Sequence, residues 1–409
     1  MPNSVLEIAS RLYYANNGKK QSSRPAVRVA LAGIIVGITV MILTICIVIG
    51  FKQTVTNKLA GFDAHIQVVS FETNDSYDLS PIEVSDSLLS QLRSFTHVAS
   101  ASPFITKPGI LKTDSAFQGI VLKGTDYWAF FEENMVEGML PSAPQQVLIS
   151  RTIANQLQLH VGDPVPCYFI EEKDVRARKL IISGLYDSGF EQYDELFVVT
   201  PLETMRSIQK WGENVYSGID VLADDVRNIE SVYDDIYFAT VNHIDENGYN
   251  TYFVQNLYEK NTKIFLWLDL LDMNVVLIII LMLIVASMNM VTGLIILILE
   301  SVQLIGTLKA LGANNRFIRR IFLTQACMLI AKGLLWGNSI GLGLAAIQYF
   351  GRIVPLESST YYVNTVPIAF PWMWILLLNV VTMAICLFVL LLPSMIISKI
   401  NPAKVMHFE

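Results

Sequence analysis

Four long apolar runs dominate the chain, because nearly every position in them is hydrophobic rather than one face only. A hydrocarbon core of about 30 Å needs ~20 helical residues at ~1.5 Å rise each, and every run is long enough to cross it. The sequence therefore predicts four membrane-spanning helices. They occupy residues 27–51, 273–299, 321–350 and 372–397.

The first apolar run is expected to remain in the mature protein. It is longer than the apolar core of about 7–15 residues in a signal peptide, and no A-x-A-like cleavage site follows it. Ahead of it, Ser4 and Glu7 form a capping-box pattern, and apolar residues recur at helical spacing. Residues 1–26 are predicted to form an amphipathic helix on the cytoplasmic leaflet; the alternative is a frayed N-terminus that packs nowhere.

Between the first two spans the pattern changes to short segments bounded by Gly, Pro and Asp. Residues 52–272 are predicted to form a large α+β domain outside the cytoplasm, joined to the spans by stalk helices. We expect the first stalk to be broken by Gly61 and the second to run through 250–272 into the next span. Strands are predicted at 65–70, 119–123, 147–150, 165–170, 179–184 and 195–200, and helices at 85–94, 151–159, 201–211 and 225–239.

Basic residues near the span ends indicate the orientation, since Lys and Arg are retained on the cytoplasmic side. They cluster before the first span, between the second and third spans, and in the tail 398–409. Both termini and the segment 300–320 are therefore expected in the cytoplasm, and the loop 351–371 outside with the large domain. Residues 52–263 hold 30 acidic and 16 basic residues, which argues against a nucleic-acid partner.

Two spans carry glycines at a spacing of four residues: Gly33 and Gly37 in the first, and Gly333, Gly337 and Gly341 in the third. This spacing puts small residues on one helix face and lets two helices approach closely. We predict that these glycines pack span against span.

Lys332 is unusual because it lies about twelve residues into the third span, where a charge costs ~2.5–3.5 kcal/mol on insertion. Ser287 and Asn289 lie at similar depth in the second span and are predicted to form an intramembrane polar site with it. The alternative is that Lys332 snorkels, or borders a water-filled cavity, with no role in transport.

The segment 300–320 has an apolar helical stretch that projects past the membrane, a Gly-Ala-Asn-Asn break and a basic helix start. A helix that ends with exposed apolar residues outside the lipid favours a partner surface. The alternative is a hairpin that packs on the N-terminal helix of the same chain.

No catalytic constellation is found in the sequence. It lacks a G-x-x-x-x-G-K-[ST] phosphate loop and an H-E-x-x-H motif, and its five histidines are scattered. The run Gly184 to Gly189 is not a nucleophile elbow, because Ser188 has no glycine two residues before it. A non-catalytic chain without a metal or cofactor of its own is expected.

Several stretches resemble the permease family that includes the Lol-type lipoprotein-releasing proteins, the MacB-type exporters and the FtsX-type division proteins. The segment 308–313, with Arg316, Ile318, Arg320 and Phe322 after it, is similar to the family's cytoplasmic loop. Further stretches are similar to the Lol branch over nearly the whole chain: 48–52, 59–66, 119–126, 162–163, 184–194, 361–367 and 393–403.

The resemblance implies a type VII ABC permease architecture in a bacterial inner membrane. It implies that this chain pairs with a second copy or a sister permease, and that a separate cytoplasmic ATPase binds ATP and Mg²⁺. Lipoproteins would enter sideways from the membrane lipids, between the first and second spans, and would then be transferred toward a periplasmic carrier. The implied ATPase-coupling residues are Lys309, Ala310, Leu311, Gly312, Ala313, Asn314 and Arg316.

The sequence departs from the Lol pattern at three places. Residues 168–179 resemble a short hairpin where carrier-recruiting permeases have a longer hook, Ser301 to Gln303 replace more charged residues, and Lys332 replaces an apolar one. Two alternatives therefore stay open: a MacB-like export or mechanotransmission subunit, and an FtsX-like regulator of a periplasmic enzyme that transports nothing.

Overall fold

The computed structural model of the chain describes residues 24–72, 77–114, 116–171, 174–241 and 251–394. These divide into two compact units. The sheet unit comprises Gln53–Leu266 and Pro355–Thr365, and the helical unit comprises the remainder. The predicted N-terminal helix lies almost wholly outside the described residues, as does the tail 398–409.

The helices begin and end as follows in chain order. They are α1 Arg24–Asp63, α2 Asp86–Ser94, α3 Ala129–Glu133, α4 Arg151–Leu157, α5 Glu191–Asp194, α6 Leu202–Gln209, α7 Ile229–Thr240, α8 Leu257–Lys260, α9 Thr262–Glu300, α10 Val302–Ala310, α11 Asn315–Gly351, α12 Ser358–Tyr361 and α13 Trp372–Ser394.

The strands form one large sheet and one small ribbon. They are β1 Ile66–Ser70, β2 Ile82–Glu83, β3 Val98–Lys112, β4 Phe117–Gly124, β5 Met135–Gly138, β6 Gln146–Ser150, β7 Pro164–Glu171, β8 Asp174–Tyr186, β9 Phe197–Thr200, β10 Val215–Tyr216, β11 Gly218–Ala223 and β12 Tyr252–Asn256.

Four helices of the described chain are long and apolar enough to cross a membrane: α1, α9, α11 and α13. This confirms the prediction of four apolar helices. Half of the residues in the most apolar stretch of α1 are buried within the described chain, whereas only 22% of those in the corresponding stretch of α9 are. Helix α1 is therefore the central helix of the helical unit, whereas most of the apolar surface of α9 is not covered by the part of the chain that the structure describes.

Helix α1 packs against α11 through the glycine stripe. A Cβ added to Gly337 would lie 2.7 Å from Ile38 Cβ, and one added to Gly333 would lie 2.6 Å from Ile34 Cγ2. Gly341 faces Ile42 in the same manner. Isoleucines spaced by four on one helix thus fit the space left by glycines spaced by four on the other.

Helix α1 meets α9 on a different face. Gly33 lies under the Asn289 amide and Gly37 under Ala286, while Ala30 lies 3.0 Å from the position of a Cβ on Gly293. The two glycines of α1 and the three of α11 therefore all lie at contacts between helices, the first set against α9 and the second against α1.

Helices α11 and α13 are joined by a reciprocal amide pair that the sequence did not reveal. Asn338 Nδ2 donates to Asn379 Oδ1 at 2.6 Å, and Asn379 Nδ2 donates to Asn338 Oδ1 at 3.0 Å. Each amide also donates to the carbonyl four residues before it in its own helix. Both side chains are thereby satisfied in an apolar setting, which removes most of the cost of burying them.

The large sheet of the sheet unit has the order β12-β1-β11-β3-β4-β9-β6-β8-β5, and β7 pairs with β3 and β8. Most neighbours are antiparallel, but β4 pairs with β9 and β6 with β8 in parallel. One face carries the apolar core with α2, α4, α6 and α7, because alternate residues such as Ile66, Val68, Ile219 and Val221 point to it. The α+β class predicted for this region agrees with this arrangement.

Two predicted stalk details were wrong. Helix α1 continues through Gly61 to Asp63, since Gly61 serves close packing rather than termination: a Cβ there would lie 2.2 Å from the Phe130 ring. The helix ends where Ala64 adopts φ 57. Residues 252–256 form strand β12 at the sheet edge instead of a helix, and the helix that enters the second span begins at Thr262.

The segment 164–186 forms a longer hairpin than expected, and six strands were not predicted from the sequence: β2, β3, β5, β10, β11 and β12. Strands β7 and β8 pair from Pro164 with Ile181 up to Glu171 with Asp174. The register leaves a two-residue connection between them, so the segment is a simple hairpin with an extended pair of strands.

Replacing Gly337 by Ala should destabilise the helical unit by roughly 1–3 kcal/mol, because the added methyl group overlaps Ile38 in a close-packed contact. Gly343→Ala is the matched control on the same helix, since no atom lies within 4 Å of a Cβ there. The midpoint of thermal unfolding in detergent measures both. Equal midpoints for the two variants would contradict the packing role of Gly337.

Candidate functional site

The predicted coupling segment forms a helical hairpin in the helical unit. Helix α10 ends in a Schellman arrangement, in which the Gly312 N–H donates to Lys309 O and the Ala313 N–H donates to Leu308 O. Gly312 has φ 89, which only glycine adopts without strain. The Asn314 side chain then accepts from the Arg316 N–H and caps α11.

The tip of this hairpin exposes one large apolar side chain beside basic ones. Leu311 is 80% exposed, although its neighbours along α10 and α11, Ile305 and Ile318, are fully buried. Arg316 and Arg320 are exposed on the first turns of α11. An exposed leucine that precedes exposed arginines in the same hairpin is suited to a partner with an apolar pocket and acidic residues beside it.

The three residues of the predicted intramembrane polar site have different environments. Ser287 is buried on α9. Asn289 lies against Gly33, and Lys332 is exposed on α11. A shared site for the three side chains stays a prediction.

A polar cluster in the sheet unit brings together α1, the segment 184–194 and the loop 355–365, of which 184–194 and part of the loop, 361–365, were singled out in the sequence. Ser188 Oγ donates to Asp194 Oδ1 at 2.6 Å. Lys58 Nζ, on α1, donates to Tyr362 O at 3.3 Å. Gly189, with φ 64, lies between Lys58 and the Asn364 amide, where a Cβ would not fit.

A second network lies at the end of α1, where Asp63 is almost fully buried. Lys260 Nζ donates to Asp63 Oδ1 at 2.8 Å and to Gln67 Oε1 at 2.7 Å. Tyr193 Oη donates to Asp63 Oδ2 at 2.6 Å. A carboxylate at a helix C-terminus is repelled by the helix dipole, so these donors offset an unfavourable position.

The network continues onto the sheet through Lys123. Its ammonium donates to Phe62 O at the end of α1 and to Asp220 Oδ2 at 2.6 Å, and it lies 4.9 Å from the centre of the Phe104 ring. Gln67 Nε2 donates to the other oxygen of Asp220. Two acids and two lysines thus balance one another on the sheet face opposite the apolar core.

A cavity of about 470 Å³ opens beside this network. Its walls combine aromatic rings with the charged groups, and Thr106, whose buried hydroxyl lacks a partner among the described residues, is one of the lining residues. The remaining walls include Tyr77, Phe104, Phe197, Tyr233, Phe253, Glu259 and Asn261.

Burial changes the titration of this region. It raises the pKa of Asp194 to about 6; the Ser188 hydrogen bond lowers that value only in part, and the neighbouring charge of Asp187 adds to the rise. Burial, together with the charge of Asp63, raises the pKa of Tyr77 to about 12 and that of Tyr193 above its usual range. Both phenols are therefore neutral hydrogen-bond donors at any physiological pH.

Among the described residues, no group of three or more His, Cys, Asp or Glu side chains is placed to hold a metal ion. The networks around Asp63 and Asp194 were not predicted as sites. A signal existed for Asp63, Tyr193 and Asp194, since all three lie in stretches that resemble the Lol branch, but nothing in the sequence linked them to Lys58 or Lys260.

Comparison with known families gives two matches that cover most of the chain. Residues 29–236, half of the chain, match the MacB-like periplasmic core domain. Residues 276–402 match the FtsX-like permease C-terminal family. The first match spans most of α1 and the sheet unit as far as α7, and the second spans α9 to α13.

Curated relatives align with the chain from end to end. The lipoprotein-releasing system transmembrane protein LolC of Xylella fastidiosa strain Temecula1 is 20% identical, over 99% of both chains. The LolE protein of Haemophilus influenzae is 22% identical, over 91% of this chain and 92% of its own. LolC of Neisseria meningitidis serogroup B is 20% identical over 93% and 94%.

Two solved structures are similar to about half of this chain. The periplasmic region of MacB from Actinobacillus actinomycetemcomitans is 16% identical, with a TM-score of 0.34, and covers 50% of this chain and 95% of its own. The extracellular domain of the noncanonic ABC-type transporter YknZ from Gram-positive bacteria is 14% identical, with the same TM-score, over 47% and 99%.

Asp194 should make stability fall as the pH rises. The folded chain holds this proton up to pH about 6, whereas an unfolded aspartate loses it near pH 4, so the folded state binds more protons in that window. At pH values above this window, the buried Asp194 carboxylate lowers the free energy of unfolding by up to roughly 3 kcal/mol. Asp194→Asn keeps an acceptor for Ser188 and should flatten the fall in unfolding free energy between pH 5 and 7.

Thermal unfolding of the full chain in detergent at several pH values measures this effect. Asp225→Asn is the control: hydrogen bonds from Arg227 lower the pKa of Asp225, so this acid is ionised in both states above pH 5. An unchanged pH profile for Asp194→Asn would contradict the raised pKa of Asp194.

Proposed function

Since this chain belongs to the family of permeases built from a MacB-like periplasmic core domain and an FtsX-like C-terminal part, we propose that it is the membrane subunit of an ATP-driven system that releases lipoproteins. The observation that carries this proposal is alignment over nearly the full length with proteins named as transmembrane subunits of lipoprotein-releasing systems. Four helices long and apolar enough to cross a membrane, with a large sheet unit after the first of them, support this proposal.

Release of a lipid-anchored protein needs an energy source. Each buried CH₂ of an acyl chain contributes ~0.8 kcal/mol to membrane binding, so a multiply acylated anchor leaves the bilayer too slowly without work. This chain has no phosphate loop. A separate cytoplasmic ATPase therefore supplies the energy in our proposal, and ATP and Mg²⁺ bind to that partner.

The hairpin of α10 and α11 is the proposed docking surface for the ATPase. Its tip presents Leu311 to solvent on a turn that Gly312 and Asn314 fix. The basic residues before α1 and on α11 support a cytoplasmic location for this hairpin and for both termini. The membrane is then the bacterial inner membrane, with the sheet unit in the periplasm.

A second permease is part of the proposal, because the described residues leave most of the apolar surface of α9 uncovered. A second copy or a sister permease would form a type VII permease with it, and the lipoprotein would enter from the membrane between the first and second spans. The released lipoprotein would pass to a periplasmic carrier. The β7–β8 hairpin lies where related permeases have a hook, but we assign no carrier contact to it.

Reconstitution tests the proposed activity directly. The chain is purified with the proteins that accompany it, placed in vesicles with a triacylated lipoprotein, and supplied with ATP and a soluble acceptor. We expect ATP-dependent transfer of the lipoprotein into the soluble fraction, and depletion in cells should strand lipoproteins in the inner membrane. Loss of drug export on depletion, or chained cells, with lipoproteins correctly placed would instead support the export or regulator alternatives.

Replacing Leu311 by Asp should uncouple the ATPase from release. The side chain is exposed, so the fold tolerates the change, but a carboxylate at the tip removes the apolar anchor and places a negative charge among arginines. We expect about tenfold less release or more, the usual loss when an interface anchor is removed.

Met139→Asp is the matched control, since Met139 is 76% exposed in the sheet unit. Release and binding of the ATPase are measured for both variants. Normal release by Leu311→Asp would remove the docking assignment while leaving the release activity of the unmodified chain intact.

A further inference from the structure

Two of the spanning helices have their outer ends in the same charged network. Helix α1 contains the first span and ends at Asp63, and α9 contains the second span and follows directly after Lys260 and Asn261. Each is one uninterrupted helix. The ion pair between Asp63 and Lys260 therefore connects the C-terminal end of the first helix to the N-terminal end of the second. We call this ion pair the Asp63–Lys260 tie.

The tie is built from groups that hold one another in place. The Asp63 side chain is 2% exposed and receives hydrogen bonds from Lys260 and from Tyr193. Tyr193 Oη also lies 3.0 Å from the Asn261 amide oxygen, so it contacts both sides of the junction. Helix α8, which carries Lys260, begins with a capping box between Asn256 and Glu259.

The same two helices share another ion pair, which provides a comparison. Lys52 on α1 lies 3.2 Å from Asp269 and 2.6 Å from Asp272 on α9, but those two carboxylates are 69% and 53% exposed. Exposed pairs are screened by water and contribute little. A buried carboxylate left without its cation is much more costly, so Asp63 and Lys260 form the stronger of the two ties.

The Asp63–Lys260 tie differs from a permanent structural pair because both partners line a cavity and the cation is partly exposed to it. The Lys260 side chain is 25% exposed and is among the residues that line the cavity of about 470 Å³. Water in that cavity can solvate the ammonium when the pair separates, which lowers the cost of opening. The pair can therefore open and close again without placing an unsolvated cation in an apolar core.

We infer that Asp63 and Lys260 are positioning residues of the transport cycle, which hold the outer ends of the first and second spanning helices together so that ATP hydrolysis is converted into release. This inference rests on the proposed function. Neither residue touches the cargo or ATP in this account. Without the tie, the two helices between which the lipoprotein enters are no longer fixed at their outer ends, and hydrolysis proceeds without release.

The test uses the full chain with its ATPase in vesicles that contain a triacylated lipoprotein. Asp63→Asn, Lys260→Met and the double variant are compared with the unmodified chain for ATP hydrolysis and for lipoprotein released per ATP. We expect each single variant to release about tenfold less per ATP and to keep its hydrolysis, with the double variant no worse than the singles, since the two residues act as one unit.

The paired change Asp269→Asn with Asp272→Asn is the matched control, because it removes the exposed ion pair from the same helices. Its release should stay within about twofold of the unmodified chain. Assays are run below the unfolding midpoint of every variant, so that a simple loss of folded chain is separated from uncoupling.

Three results would overturn the inference: unchanged release by Lys260→Met, an equal loss in the control, or hydrolysis that falls in step with release. Release by the unmodified chain shows whether the positioning role alone fails or the proposed function fails as well. Normal release by the unmodified chain and by all variants removes only the positioning role. Absence of release by the unmodified chain removes the proposed function and this inference with it.

Discussion

Helices in a lipid environment gain no hydrophobic energy by associating, so close contact between backbones must supply the attraction. The contact between α1 and α11 has this character, because Gly333, Gly337 and Gly341 leave the space that three isoleucines of α1 occupy. Helix α1 can be central only because α11 approaches it so closely on one face and α9 on another. The position of every other span depends on these contacts.

Polar interactions in this chain are concentrated where helices end or cross rather than spread along them. The C-terminus of α1 is surrounded by Lys123, Lys260 and Tyr193, and the start of α11 is capped by Asn314. Charges at such ends compensate the backbone groups that the helix itself leaves unpaired. The large sheet has its buried charges on one face and its apolar core on the other. The charged groups therefore do not have to be buried among apolar side chains.

Features that depend on nearby residues could be predicted from the sequence. The four spans, the glycine spacing and the break after α10 all follow from runs and intervals of a few residues. Strand β12 was missed because its apolar residues fit a helical period as well as an extended one, and its pairing with β1 lies far away in the sequence. Gly61 was misread for a related reason: its effect depends on the Phe130 ring, which no local pattern reveals.

The candidate site was the least predictable part, since its members come from distant segments. Asp63 and Lys260 are separated by 197 positions, and a single sequence gives no indication that they meet. The turn at Gly312 was recognisable because a helix end leaves a local signature. What a turn presents to a partner, such as the exposure of Leu311, depends on the packing of both neighbouring helices.

The amide pair between Asn338 and Asn379 has a consequence for how the polypeptide is made. Either asparagine, leaving the translocon alone in its helix, would meet lipid tails with an amide that its own backbone satisfies only in part. Since the two are reciprocal partners, the third and fourth helices gain by leaving the translocon together, as a hairpin joined by residues 352–371. We therefore expect this amide pair to favour insertion of the two helices as a pair over insertion of each helix alone.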